Sequence, residues 1–189
     1  SVLSMQLPAR AGLPMTEMLI VLCGYLIGSM SFAVILSRFY GMPDPRSYGS
    51  GNPGATNVLR SGKRTVAALT LLGDAGKGLM AVILAQTIAA QFGLHAWVVA
   101  GVALAAFAGH LWPVFFRFQG GKGVATAAGI LLAINLWLGI GTIMTWVLIF
   151  TFFRISSLAA LIAALFAPFA YLLLFAPDLM AVAVSVIAI

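Results

Sequence analysis

The residues best suited to chemistry in this 189-residue sequence set short hydroxyls and amides among glycines: Tyr48-Gly49-Ser50-Gly51-Asn52-Pro53-Gly54-Ala55-Thr56-Asn57. Gly49, Gly51 and Gly54 remove side chains where a backbone must turn tightly, and Ser50, Asn52, Thr56 and Asn57 place polar groups beside the exposed N–H groups. Such a segment can cup an anion, because backbone nests and helix N-termini both bind phosphate, and residues 55–64 can open a short helix facing the turn. Arg46 and Arg60 flank it with positive charge. A second glycine turn, Gln119-Gly120-Gly121-Lys122-Gly123-Val124-Ala125-Thr126, carries a lysine and opens into a helix, which makes it a second candidate anion site. The G-x-x-x-x-G-K-[ST] spacing is absent, so nucleotide hydrolysis is not expected.

Three ionisable residues lie inside apolar sequence. Asp74 and Lys77, three apart, share a helix face and can pair, which lowers the cost of keeping either in a membrane. An ion pair that orients helices and a direct substrate role are both open readings. His110, in Gly109-His110-Leu111-Trp112-Pro113, lies within about two turns of the second glycine turn, and structural and catalytic readings stand equally. The single cysteine, Cys23, has no partner and reads as a packing residue, so neither a disulfide nor a Cys-rich metal site is expected, and no cofactor.

The elements that must position these groups are membrane spans. The chain is 62% hydrophobic and 7% charged with mean hydropathy +1.11, whereas a soluble domain carries about 25% charged residues. The net charge of +6 comes without a basic helix or aromatic-basic interleaving, so no nucleic-acid partner is expected. The expectation is an all-α integral membrane protein, with residues 1–189 forming a single helical domain. Residues 1–14 read as a loose segment without the order of a cleaved signal peptide. Span one covers 18–40, with the stripe Gly28-Ser29-Met30-Ser31 read as close helix packing. A loop at 41–64 follows, then span two at 66–92, interrupted at 73–78, a turn in which His95 touches water, span three at 96–118 and the loop at 119–126.

Residues 124–153 hold no charge and would make a helix of about 45 Å, too long for one upright span. Crossing once puts Arg154 opposite the glycine loops; turning near Asn135 returns it to them and leaves one short helix. The positive-inside rule favours the turn. Residues 158–176 then cross with Pro168 as a kink, and 179–189 are too few to span, so the sequence is expected to stop within a final helix. With this threading Arg38, Arg46, Arg60, Lys63, Arg64, Arg117, Lys122 and Arg154 share one side, which is the cytoplasm, and the N-terminus lies outside.

Five ordered motifs carry a specific likeness: residues 49–60, Asp74 with Lys77-Gly78, residues 109–116, residues 120–126, and Ser157-Leu158-Ala159. From about Tyr25 onward the sequence resembles the bacterial acyl-phosphate:glycerol-3-phosphate acyltransferases, the PlsY family. The resemblance implies a seven-helix enzyme of the bacterial inner membrane with a short fourth helix and a cytoplasmic active site. Its substrates would be acyl phosphate and glycerol 3-phosphate, and its product lysophosphatidic acid, in the first step of phospholipid synthesis. It places Ser50, its glycine loop and Arg60 at the phosphates, has Lys122 and Ser157 complete the pocket, and sets Asn57, His110 and Thr126 nearby. It also implies a cytoplasmic Arg-His-x-x-Asn segment after the last helix, and the sequence ends at Ile189 before reaching it.

The residues agree with that chemistry part by part. Two phosphate-bearing substrates match two glycine turns with Arg46, Arg60 and Lys122, and the acyl chain matches lipid-like spans. No His-x-x-x-x-Asp pair, Gly-x-Ser-x-Gly elbow or Cys–His pair is present, but an acyl phosphate is already activated, so positioning and electrostatic stabilisation can carry the rate. No obligate protein partner is evident beyond the surrounding lipids. The rival reading is a carrier of a phosphorylated molecule, which buried charge and broken helices also suit. Against it, the sequence shows no inverted repeat and both anion loops fall on one side.

Overall fold

Hydropathy at this level leaves the backbone no solvent for its polar groups, so every segment must satisfy them internally. The computed structural model describes residues 13–175 and 177–188, and among them every regular element is helical. The elements are α1 (Leu13–Gly28), α2 (Phe32–Phe39), α3 (Ala55–Arg60), α4 (Arg64–Phe92), α5 (Trp97–Leu111), α6 (Val124–Ile134), α7 (Leu136–Phe153), α8 (Ser156–Leu174) and α9 (Leu179–Ala188), with short 3-10 turns at Pro45–Ser47 and Val114–Phe116. Four helices are long and apolar enough to cross a membrane, or five when α1 and α2 count as one bent span. Large apolar side chains such as Phe152, Leu165 and Leu173 stand on the outer surface, as lipid contact requires.

Three expectations need correction. The first span is not one helix: it breaks after Gly28 and bends by 45° before α2. Its small residues still serve packing, since a side chain on Gly28 would run into the Ala106 backbone, and one on Gly109 would collide with the Tyr25 carbonyl. The second span, in contrast, runs through Gly73–Gly78 without interruption, because those glycines let other elements close on an intact helix: Phe32 occupies the space beside Gly73, and the Thr126 carbonyl lies against Gly78. His95 does more than touch water. Its backbone N–H and Nδ1 both meet the Glu17 carboxylate, at 3.0 and 2.8 Å, which ties the start of α1 to the α4–α5 turn. The loose N-terminal segment expected at 1–14 falls outside the described residues up to 12, and α1 already includes Leu13 and Pro14.

The long apolar stretch at 124–153 divides where charge parity favoured. Asn135 adopts an extended backbone, ends α6 and caps α7 by accepting from the N–H groups of Trp137 and Leu138, both at 3.0 Å. Gly139 then lies against the backbone of Leu132, so α7 packs back on α6. At 11 residues, α6 is about 16 Å long and cannot span alone. It lies along α4 instead, with Gly129 on the Ala75 carbonyl and Gln86 donating to the Ala133 carbonyl at 3.1 Å. Pro168 sits inside α8 without ending it. Glu17 with His95 marks one end of the bundle, and the Tyr25–Trp112 hydrogen bond of 2.7 Å marks the other, where the glycine turns lie.

Candidate active site

Local sequence fixes the first glycine turn. Gly49 and Gly51 have φ of +59° and +68°, where a side chain is strained, and a Cβ on Gly49 would strike Asn57 Oδ1. That oxygen accepts the Ser50 N–H at 2.9 Å, while Asn57 Nδ2 donates to the carbonyls of Pro45 at 2.7 Å and Tyr48 at 3.1 Å. Asn57 is buried, and its amide is taken up by the loop's own backbone. From α3 it shapes the turn, and Val58 anchors it in a small core with Ala33, Val66 and Ala67. The short helix expected over 55–64 stops at Arg60, and Gly62, at φ +81°, sets the break before α4.

Arg46 is likewise engaged. Its guanidinium forms a two-pronged pair with Asp44, Nε to Oδ1 at 2.9 Å and Nη2 to Oδ2 at 2.7 Å, and Nη1 donates to the Phe116 carbonyl at 3.2 Å. The hydrogen bond from Arg46 holds the Asp44 carboxyl below its usual range, and the same bond raises the Arg46 guanidinium. Arg46 thus clasps the first loop to the turn after α5. It stands between two cavities, one of about 340 Å³ lined by Arg46 to Gly51 and one of about 320 Å³ lined by Arg38, Arg46, Phe115, Phe116, Arg117 and Gln119.

The second glycine turn packs so closely on α5 that side chains have no room. A Cβ on Gly120 would meet the carbonyls of His110 and Leu111; the Gly121 N–H donates to the His110 carbonyl at 3.2 Å; Gly123 takes φ +75° against Phe107 and starts α6. Gly121 is also where the two loops meet. A Cβ there would lie 3.2 Å from the Pro53 carbonyl of the first loop and 2.5 Å from His110 Nε2. Around this junction Ser50, Thr56, Arg60 and Lys122 are exposed, and the Arg60 side chain runs beside Gly49. Among the described residues neither Arg60 nor Lys122 is in an ion pair, so both cations face outward unspent. Asn52 and Gly54 complete the first turn, the Asn52 amide nitrogen lying 3.0 Å from where a Gly54 Cβ would stand. Ser157, in the first turn of α8, is exposed, and among the described residues it makes no hydrogen bond to either loop.

Beneath the junction lies a buried polar centre that sequence reasoning named only in pieces. Lys77 Nζ lies 3.0 Å from Asp74 Oδ1, donates to the Met30 carbonyl at 2.6 Å and meets His110 Nδ1 at 2.9 Å. Thr126 Oγ1 donates to the Asp74 carbonyl at 3.0 Å and stands 3.1 Å from His110 Nδ1. Thr126, one of the expected substrate-binding residues, is buried in this frame. The Asp74 carboxylate faces the N–H of Phe32, at the start of α2. The ion pair therefore serves both sides of the break in the first span: the cation satisfies a carbonyl left free by the end of α1, and the anion meets the N-terminus of α2. The signal was present in Gly28-Ser29-Met30-Ser31, because a break inside an apolar span demands polar partners from a neighbouring helix.

Fold and site together define a helical integral membrane protein that presents two interlocked glycine turns and free cations at one end. Residues 18–189 match the family model described as "Glycerol-3-phosphate acyltransferase". Among curated proteins, the glycerol-3-phosphate acyltransferase of Ralstonia nicotianae is 63% identical over 165 residues, covering 87% of this chain and 80% of that one. That of a Janthinobacterium species is 60% identical over 175 residues, covering 93% and 87%. Crystal structures of PlsY (YgiH), an integral membrane glycerol 3-phosphate acyltransferase, superpose with a TM-score of 0.84 at 34% identity in the glycerol 3-phosphate form, covering 92% of this chain and 84% of that one. The lysophosphatidic acid form gives 0.81 at 32%, covering 92% and 86%. The chain belongs to the glycerol-3-phosphate acyltransferase family.

Proposed function

We propose that this chain transfers a fatty acyl group from acyl phosphate to the sn-1 hydroxyl of glycerol 3-phosphate, giving lysophosphatidic acid. The reading rests on family membership, and the observation that carries its chemistry is the junction at Gly121, where both glycine turns and an imidazole edge converge among unpaired cations. The hydroxyl oxygen of glycerol 3-phosphate attacks the acyl carbonyl carbon, the bond from that carbon to the phosphate oxygen breaks, and the hydroxyl proton passes to the departing phosphate. Arg60 and Lys122 hold substrate phosphates, the Ser50 hydroxyl and the free backbone N–H groups of both turns share them, and Ser157 closes the pocket from α8. Asn57, Thr126 and Arg46 act as the frame. Catalysis then lies in orientation and electrostatic stabilisation, because the donor is already activated and its phosphate serves as base.

In this reading the chain is a single domain with seven membrane-inserted segments, counting α1 with α2 as one and α6 and α9 as short ones. It lies in the inner membrane, with its glycine turns facing the cytoplasm and its N-terminus outside. The reversal at Asn135 supports this topology, since it returns Arg154 towards the end that carries the other cations. Steady-state kinetics of the purified full-length protein, varying acyl phosphate and glycerol 3-phosphate together, tests the reaction. Intersecting double-reciprocal lines are expected from a ternary complex. Parallel lines or an acyl group trapped on Ser50 would overturn direct transfer, and robust turnover with acyl-CoA would overturn the donor.

A further inference from the structure

The buried centre holds more than the ion pair needs for its own stability. Lys77 lies on α4, His110 on α5, Thr126 on α6, and the Met30 carbonyl comes from the break between α1 and α2, so four parts of the fold converge on one ammonium–imidazole pair. A lysine ammonium has three N–H groups and no lone pair. It donates to the Met30 carbonyl at 2.6 Å and lies 3.0 Å from Asp74 Oδ1, and having no lone pair it can only donate to the ring at 2.9 Å from His110 Nδ1. Nδ1 must then be an acceptor. In a neutral imidazole the proton therefore sits on Nε2, and Nε2 is the atom that borders Gly121 and faces the seam with Pro53. Among the described residues Nε2–H has no hydrogen-bond partner, so its donor is open towards the junction. Glycine at 121 keeps that path clear, because a Cβ would stand 2.5 Å from Nε2.

We propose that Lys77, which touches no substrate, is a positioning residue for the reaction: it locks His110 in the Nε2–H form, so the ring presents a donor to a phosphate or carbonyl oxygen of the bound substrate. The inference rests on the reading of the junction as the active site. It also gives the break in the first span a use, since the Met30 carbonyl orients the ammonium that orients the ring. Asp74 stands 3.0 Å from that ammonium, and the Thr126 hydroxyl gives its one proton to the Asp74 carbonyl at 3.0 Å, which leaves the ammonium as the donor to Nδ1.

The chain has two histidines, so His95→Gln at the far end of the bundle leaves His110 as the single imidazole. Nitrogen-15 spectra of the labelled full-length His95→Gln protein at neutral pH read its tautomer directly, with no substrate present. A pyridine-type Nδ1 and a pyrrole-type Nε2 are expected; a pyrrole-type Nδ1 overturns the proposal. Lys77→Met alone would strand the Asp74 charge, so the functional variant is Asp74→Asn with Lys77→Met. In it the ring should populate both tautomers, and kcat should fall by about tenfold to a hundredfold, by analogy with loss of the partner that orients a metal-bound histidine. KM for glycerol 3-phosphate should stay within about twofold. A loss confined to KM, or an unchanged kcat with a scrambled tautomer, overturns the positioning role. If acyl phosphate proves not to be the donor, the spectra still decide the tautomer by themselves.

Discussion

Replacing Asn57 by alanine tests whether the first glycine turn is built by a side chain or by its own glycines. The substitution removes three hydrogen bonds to loop backbone, from Ser50 N–H and to the carbonyls of Pro45 and Tyr48, at 2.9, 2.7 and 3.1 Å. Each is worth about 0.5–1.5 kcal/mol net, more where a group is left buried and unpaired. Only the bond to Pro45 is fully buried, and water can replace part of the other two, so the turn should lose roughly 2–3 kcal/mol rather than the full sum. That corresponds to about a 30- to 150-fold drop in the equilibrium constant for forming the loop. The bundle interior around Ala81, Val82, Val102 and Ile130 is untouched, so the melting of the helices should hardly move. The assay is kcat/KM for glycerol 3-phosphate on detergent-purified protein beside a thermal melt of helicity. Asn57→Asp keeps the acceptor for Ser50 but turns an anion onto two carbonyls, and should do at least as much harm. An Asn57→Ala protein with kcat/KM within threefold of the parent, or one whose loss is matched by a collapse of the melt, would refute this account.

Three further outcomes follow from the fold. Gly129→Ala puts a methyl into the Ala75 carbonyl and must push α6 off α4, costing about 1–3 kcal/mol, read as a lower midpoint in thermal or denaturant unfolding. In a Cys23-free protein, cysteines at Ser61 and Ser156 should both resist an impermeant thiol reagent added to intact cells; labelling at 156 alone would show that 124–153 crosses the membrane once. The Asp44–Arg46 clasp has a depressed carboxyl, so its contribution is complete above the ordinary aspartate value of 3.8 and is lost as pH falls through the lower folded value. Loop amide exchange should therefore show no clasp-dependent change from pH 8 to about pH 5, and Asp44→Asn should cost under about 1 kcal/mol because the pair is partly exposed.

The glycine turns were legible because glycine spacing is a local signal, and the hairpin at Asn135 because charge parity is a global one. What escaped was the relation between distant polar residues. Nothing in the spacing of Lys77 and His110 says that α4 and α5 bring them to 2.9 Å, and nothing near Arg46 announces that the Phe116 carbonyl accepts from it. The same limit misread span two. Its glycines suggest a break when read along the chain, but they are gaps into which Phe32 and Thr126 fit, so the helix persists and its neighbour bends.

That exchange explains why the buried ion pair and the broken span occur together. A break inside the membrane exposes carbonyls at the end of one helix and N–H groups at the start of the next, and each costs several kcal/mol if nothing answers it. Lys77 and Asp74, one turn apart on a straight helix, answer both with opposite charges, and each charge is in turn stabilised by the other. Each half supports the other: the break supplies partners that offset the desolvation of the pair, and the pair meets backbone groups that the break frees. Because the same ammonium also meets His110 Nδ1 at 2.9 Å, the arrangement that lets the span bend also holds the imidazole beneath the glycine turns.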